Sequence, residues 1–386
     1  MEFGRTKASV LLDLVRGVAA VLVCLGHWRN IFFVDYGSVT THRWLVGPLY
    51  ILCSCGHQAV MVFFVLSGYL ISGSVRRALA AGQWDWRSYA THRLVRLWVV
   101  LAPGLLLCWL WDGVGLRSGL APMLYHGLSG NHVVGDVLRG RGLGVFLGNL
   151  VFVQSLRVPV FGSDGPLWSL AYEAWYYGLF PLGLVTLLAR FQVWTRVVCG
   201  VLFAVVAWFV GGVVMLYFPV WLAGAALGFM TPPRVGAGRR WVAGGMGLWL
   251  LTVVARAAFV LGVRGRWVEV VGDYVVTAGT VGVLWMLLSA REAATGARWV
   301  RVSRGMARFS FTLYVAHVPM LALLMAWLGG DVRWVPDGPH LALGVLVLVG
   351  VIGYCWVVAW GTEFRTVTVR KWVEGALAME KGEGAR

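Results

Sequence analysis

Long apolar runs, separated by short arginine-rich segments, pattern the whole chain. They fall at approximately 10–28, 50–73, 97–111, 144–156, 167–189, 197–217, 219–230, 241–261, 274–290, 309–328 and 341–361. Most approach the roughly 20 residues that carry an α-helix across a bilayer, whereas 144–156 and 219–230 are short for a crossing. Backbone groups in hydrocarbon must be satisfied internally, so runs of this kind predict helices. The pattern therefore predicts an all-α, polytopic integral membrane bundle of about ten transmembrane helices. Run 144–156 reads as a re-entrant or interfacial segment. If it crossed, every later loop would invert, and the arginine cluster at 291–308 would leave the side shared by the other clusters.

The polar segments set the orientation. With the N-terminus in the cytoplasm, the basic groups Arg5–Lys7, Arg76–Arg96, Arg190–Arg196, Arg234–Arg240, Arg291–Arg308 and Arg365–Arg386 all fall inside. That asymmetry is the positive-inside signature. Both termini are expected in the cytoplasm, with 112–143 and 329–340 outside. One membrane domain, 1–361, is followed by a short mixed-charge cytoplasmic tail, 362–386. The first run is expected to remain in the mature protein, because Asp13 and Arg16 interrupt it and no small-residue cleavage site follows.

Composition sharpens this picture. The chain is 59% hydrophobic and 13% charged, against roughly 25% charged in soluble domains. Its 22 Trp suit the two membrane interfaces. The formal net charge of +16 would suit nucleic acid only if it lay along one face of a domain. Here it lies in clusters between apolar runs, so no nucleic-acid partner is expected and the lipid bilayer is. Most of the six cysteines sit in apolar runs as small hydrophobes. Cys53-Ser54-Cys55 has no partner pair, so no metal site is expected.

Ionisable residues inside the runs are costly and draw attention first: Asp13, Arg16, His27, Glu173, Arg256 and His317. Arg16 and His27 are eleven residues apart, which places them within roughly 20° of one another on a helix. Asp13 lies three residues before Arg16 and can pair with it on that face. The blander alternative is a buried ion pair with an interfacial histidine. Glu173 opens a helix in Pro166-Leu167-Trp168-Ser169-Leu170-Ala171-Tyr172-Glu173, and its carboxylate needs a cation or donors, with Arg16 or His27 as candidates. Arg93 and Arg96 share a helix face and suit a phosphate, although the spacing alone equally fits an ordinary positive-inside cluster. Ser67-Gly68, within Phe63–Leu70, allows close helix approach and places one hydroxyl in the core. Ser310, Tyr314 and His317 fall on one helical stripe. Gly142-Leu143-Gly144 lacks the βαβ context of a dinucleotide loop and reads as a hinge.

In this order, these pieces resemble the membrane acyltransferase-3 family, whose members O-acylate surface polysaccharides and related acceptors. Arg16 and His27 match its basic residue, ten intervening residues and histidine. Phe63–Leu70, Arg93–Arg96, Trp168–Glu173 and Ser310–His317 match its later motifs, so the likeness runs from about residue 8 to 360. Tyr69 stands where Phe is common, and Ala174-Trp175 follows Glu173; neither departure removes a chemical group. The chain ends soon after its last run, so the stand-alone form is expected. The resemblance implies an acyltransferase of groups other than aminoacyl groups. It would carry an acyl group, acetyl being usual, from cytoplasmic acyl-CoA to a hydroxyl of an extracytoplasmic or membrane-associated acceptor. No permanently bound cofactor is implied. His27, Arg16 and Glu173 would be catalytic, Arg93 and Arg96 would hold the CoA, and Asp13, Ser67, Ser310, Tyr314 and His317 would line the substrate path. The acceptor would be a bacterial exopolysaccharide, lipopolysaccharide or other glycan, the location the bacterial inner membrane, and polysaccharide biosynthesis proteins would be candidate partners. A glycan or lipid transporter or flippase is the competing class. It would also want intramembrane Arg, Glu and His, but would show inverted repeats, and none is visible.

Overall fold

The structure is a computed structural model that describes residues 6–231, 239–262, 266–290 and 292–383. Its helices follow in chain order: α1 Lys7–Phe32, α2 Arg43–Cys53, α3 Gly56–Ala80, α4 Trp86–Ser118, α5 Pro122–Tyr125, α6 Leu143–Leu150, α7 Leu167–Leu187, α8 Val193–Phe229, α9 Arg239–Gly262, α10 Arg266–Leu287, α11 Ala297–Arg308, α12 Ser310–Leu328, α13 Gly338–Gly361 and α14 Thr366–Glu383. The described residues contain no β-strand, and seven helices or helix pairs among them are long and apolar enough to cross a membrane. The protein is an all-α membrane bundle.

Several boundaries depart from the apolar runs for identifiable reasons. Run 50–73 divides at Ser54-Cys55 into α2 and α3. Runs 197–217 and 219–230 are separated at Gly211 rather than beside Pro219. Gly211 has φ 81° and ψ 171°, a conformation open to glycine because it lacks a Cβ, while Pro219 stays inside the second segment. Helix α6 is eight residues long, about 12 Å at 1.5 Å per residue, too short to cross. The tail is not plain coil: α14 packs along α4.

The chain forms two compact units. The first comprises Met1–Ala19, His57–Trp84 and Tyr172–Ala307; the second comprises Ala20–Gly56, Asp85–Ala171 and Arg308–Arg386. Helix α1 gives its opening turns to the first and its remainder to the second.

In the first unit, α3 meets α8 through glycines. A Cβ on Gly68 would lie 2.1 Å from the Trp221 carbonyl oxygen, and one on Gly224 would lie 1.9 Å from that of Val65. This is the small-residue packing that membrane helices use where lipid removes a hydrophobic drive. In the second unit, α4 packs on α12, and α12 on α13. There a Cβ on Gly104 would lie 2.4 Å from Val315 Cγ1. Asp85 caps α4, accepting from the amides of Arg87 and Ser88, as N-cap aspartates do.

Gly68→Val should cost more than the roughly 1–3 kcal/mol of ordinary overpacking, since the obstructing atom is backbone. Loss of monodisperse protein, or a large fall in melting temperature in detergent, is the expected result. Gly178→Ala, at an exposed helical glycine with no atom within 4 Å of the added Cβ, should leave melting unchanged or raise it slightly. Equal behaviour of the two variants would refute the glycine-contact account.

Candidate active site

The second unit brings together two histidines far apart in sequence. His27, in α1, places Nδ1 2.8 Å from Nε2 of His317, in α12. The ring centroids are 5.1 Å apart and the planes differ by 13°. With the nitrogens in hydrogen-bond contact, these values describe nearly parallel rings meeting edge to edge rather than face to face. On its other side, His317 Nδ1 lies 2.6 Å from the Leu313 carbonyl oxygen. A carbonyl only accepts, so Nδ1 of His317 carries the proton. In the neutral ring its Nε2 is then an acceptor, His27 must donate from Nδ1, and the lone pair of His27 is left on Nε2. His317 is fully buried, and His27 is half-buried.

The surroundings fix this pair. Trp28, beside His27, donates to the Gly344 carbonyl at 2.8 Å. Above it, Asp35 is gripped by Arg29 at 3.1 Å and Arg333 at 3.0 Å. Against the desolvation that partial burial imposes, those hydrogen bonds hold the Asp35 carboxyl below the usual carboxylate range. One turn before His317, the Tyr314 hydroxyl donates to the Pro166 carbonyl at 2.9 Å and meets Ser169 Oγ at 2.5 Å. The Trp168-Ser169 motif thus braces the helix that carries His317. Ser310, on the same stripe, is buried.

Arg93 and Arg96 occupy the opening turns of α4, both half-buried, with the Arg93 guanidinium 5.4 Å from the centre of the Tyr89 ring. Beside them, His92 pairs with Glu374 of α14 at 2.8 Å. From Arg96 to Gly104, where α4 touches Val315, is eight residues, about 12 Å along the axis.

The first unit holds the remaining sequence-derived residues. Asp13 lies in the positive field of Arg16 and Arg304. Glu173 accepts from the Tyr177 hydroxyl at 2.6 Å. Ser67 Oγ donates to that hydroxyl at 3.4 Å and accepts from Trp221 Nε1 at 3.2 Å. Ser67 and Glu173 therefore belong to one hydrogen-bonded chain, with Tyr177 as a link that sequence reasoning missed. The spacing of four residues between Glu173 and Tyr177 was the available signal. The side chain of Arg256 lies outside the described residues.

Other buried acids were missed as well. Asp273 accepts from His57 at 2.9 Å and Tyr217 at 3.0 Å within the first unit. In the second unit, Asp112 accepts from Ser163 N at 2.8 Å, Ser163 Oγ at 2.7 Å and Cys108 Sγ at 3.4 Å. Asp164 is also fully buried, but neither carboxyl oxygen has a hydrogen-bond partner among the described residues. Desolvation pushes its carboxyl well above the usual range, and the nearby Asp112 charge adds to the shift. Burial and a like neighbour therefore favour the neutral form of Asp164, the usual direction for two like groups sharing a buried site.

Comparison with known proteins bears on these motifs together. Residues 10–360 match the family profile Acyl_transf_3, described as an acyltransferase domain. The chain belongs to the acyltransferase-3 family. No curated protein and no solved structure matches it. Family membership makes this a multi-pass membrane acyltransferase.

The Asp164 shift carries a stability consequence. A carboxyl raised by folding contributes stability that is full below its unfolded pKa of about 3.9 and is lost as pH rises toward its folded value. Asp164→Asn should therefore raise the melting temperature of the detergent-solubilised protein at pH 7, with the gain fading as pH falls to about 4. A gain that does not vary with pH would show that the acid is not held neutral.

Proposed function

We propose that this membrane acyltransferase moves an acyl group, acetyl by preference, from cytoplasmic acyl-CoA to a hydroxyl of a glycan or related extracytoplasmic acceptor. The observation that carries this reading is the ordered chain Leu313 carbonyl, His317, His27, which leaves a lone pair on Nε2 of the half-buried His27. That is the arrangement a general base needs: a fixed tautomer, and a partner able to share the positive charge when the proton arrives. His27 Nε2 takes the acceptor's hydroxyl proton as the oxygen attacks the thioester carbonyl. The C–O bond forms, the C–S bond breaks, and the departing thiolate takes the proton from the His27 imidazolium. No net proton is consumed. Direct attack by Nε2, giving a transient acyl-histidine, uses the same lone pair.

Arg93 and Arg96 would hold CoA phosphates at the inner end of α4. Helix α4 also packs on α12 beside His317, so one helix connects the arginine pair to the element that carries His317. Arg16, Asp13 and Glu173 would order charge in the first unit, with Ser67, Ser310 and Tyr314 as supporting hydroxyls. The inner membrane of a bacterium, with both termini cytoplasmic, is the setting that places donor and acceptor on opposite faces.

Purified protein should consume acetyl-CoA and release free thiol only when a hydroxyl acceptor is supplied. His27→Ala should reduce turnover about 10²–10⁴-fold. His317→Ala should also be severe, yet the double variant should be scarcely worse than His27→Ala, because the two rings act as one unit. Multiplicative losses would separate the histidines. Absence of thioester consumption by well-folded wild type would sink the enzymatic reading and favour transport.

Donor binding is tested separately. Arg93→Ala with Arg96→Ala should weaken acyl-CoA affinity by about 1.5–3 kcal/mol for each charged hydrogen bond lost, with little change in melting temperature. Normal affinity would leave the pair as a topology signal alone.

A further inference from the structure

Helix α11 divides cleanly into two faces. At 100° per residue, Arg298, Arg301, Arg304 and Arg308 fall within an arc of about 120°. Val302, Met306, Trp299, Ser303, Ala307 and Val300 fill the rest. Ser303 and Ala307 are buried, whereas Val302 is 54% exposed. A short helix of this kind, basic on one side and apolar on the other, suits the boundary between lipid headgroups and acyl chains.

An open cavity of ≈ 520 Å³ lies against it, lined by Leu14, Gly296, Arg298, Trp299, Val302 and Ser303. All six residues belong to the first unit. The cavity is apolar except for Arg298 at its rim and Ser303, whose hydroxyl is spent on the Trp299 carbonyl at 2.8 Å. Nearby carboxylates are already engaged: Glu292 pairs with Lys7, and Asp13 lies in the field of Arg16 and Arg304. Arg298 and Arg301 are exposed and have no carboxylate partner among the described residues. An apolar groove with Arg298 at its rim and Arg301 one helical turn further on, neither paired with a carboxylate among the described residues, calls for a ligand with a hydrocarbon chain and an anionic head.

We propose that this cavity is a binding site for one anionic phospholipid. An acyl chain lies over Leu14, Trp299 and Val302, and the phosphate lies on Arg298 and Arg301. The charge excess selects an anionic headgroup over a zwitterionic one, while the apolar lining holds either lipid's chain. The site uses no residue of the histidine pair, so it stands independently of the proposed acyl-transfer chemistry.

The test is native mass spectrometry of the full chain in neutral detergent, titrated with phosphatidylglycerol or with phosphatidylcholine of the same acyl chains. The wild type should retain phosphatidylglycerol at least tenfold better. Arg298→Gln with Arg301→Gln should lower that retention about thirtyfold, two basic contacts' worth, and bring it to the phosphatidylcholine level. Arg298→Lys with Arg301→Lys should keep most of the preference, and Arg139→Gln with Arg157→Gln, at exposed sites in the second unit, should keep all of it. Val302→Trp, which fills the groove, should release both lipids. Equal retention of the two lipids by wild type would overturn the proposal, as would undiminished phosphatidylglycerol retention by the double Gln variant with an unchanged melting temperature.

Discussion

An ionisable group surrounded by hydrocarbon has three escapes: it pairs, it gives up its charge, or it reaches the interface. This chain uses all three, and its functional geometry follows from which residue takes which. Asp13 shares a field with two arginines. Asp112 is solvated by Ser163 and Cys108, and Asp273 by His57 and Tyr217. Asp164, with no donor among the described residues, is pushed by burial toward its neutral form. The arginines of α11 lie at the exposed edge of their helix. Against these settled groups, His27 and His317 stand out, because their pairing consumes three of four ring nitrogens and leaves one lone pair without a partner among the described residues.

The same constraint explains why motifs distant in sequence converge. A lone imidazole in a helix core has no fixed tautomer, and water cannot supply one. Here the Leu313 carbonyl supplies it through His317, and α12 must be held in register for the relay to persist. Tyr314 provides that register by bonding Pro166 and Ser169, and the Gly104–Val315 contact provides it from α4. The serine of the tryptophan-serine motif is therefore a brace for α12, while Glu173, four residues later, belongs to a different hydrogen-bonded chain with Tyr177 and Ser67.

Much of this was legible from residue order. The apolar runs gave the helical class and nearly every core helix, because a 20-residue apolar run in a membrane has few alternatives to a helix. The short run at 144–156 was readable as non-crossing from the charge parity it would have inverted. What escaped was local or long-range. The break at Gly211 depends on a backbone conformation that the apolar pattern does not carry, and it falls inside the run read as 197–217. The partnership of His27 with His317 spans 290 positions, and helix periodicity carries no information across that distance. Read as separate stripes, the two histidines received separate roles, His27 as catalytic and His317 on the substrate path. Asp112, Asp164 and Asp273 lay at the margins of apolar runs, where a carboxylate reads as interfacial until the fold encloses it.

A second imidazole, rather than a carboxylate, behind His27 also follows from burial. In soluble hydrolases an aspartate orients the base and stabilises its protonated form, but a carboxylate at a fully buried position carries its charge through the whole resting cycle and must be compensated there. His317 is fully buried and its remaining contact is a neutral carbonyl. A neutral imidazole in that place fixes the tautomer at far lower desolvation cost. In the proposed reaction, charge then appears only when His27 takes a proton, and two rings joined by a hydrogen bond can share it. The arrangement gives up some of the electrostatic pull of an aspartate for a site that is electrically neutral until substrate arrives. That balance suits the acyl transfer proposed above, in which the donor would carry its charge on phosphates far from the reacting carbon.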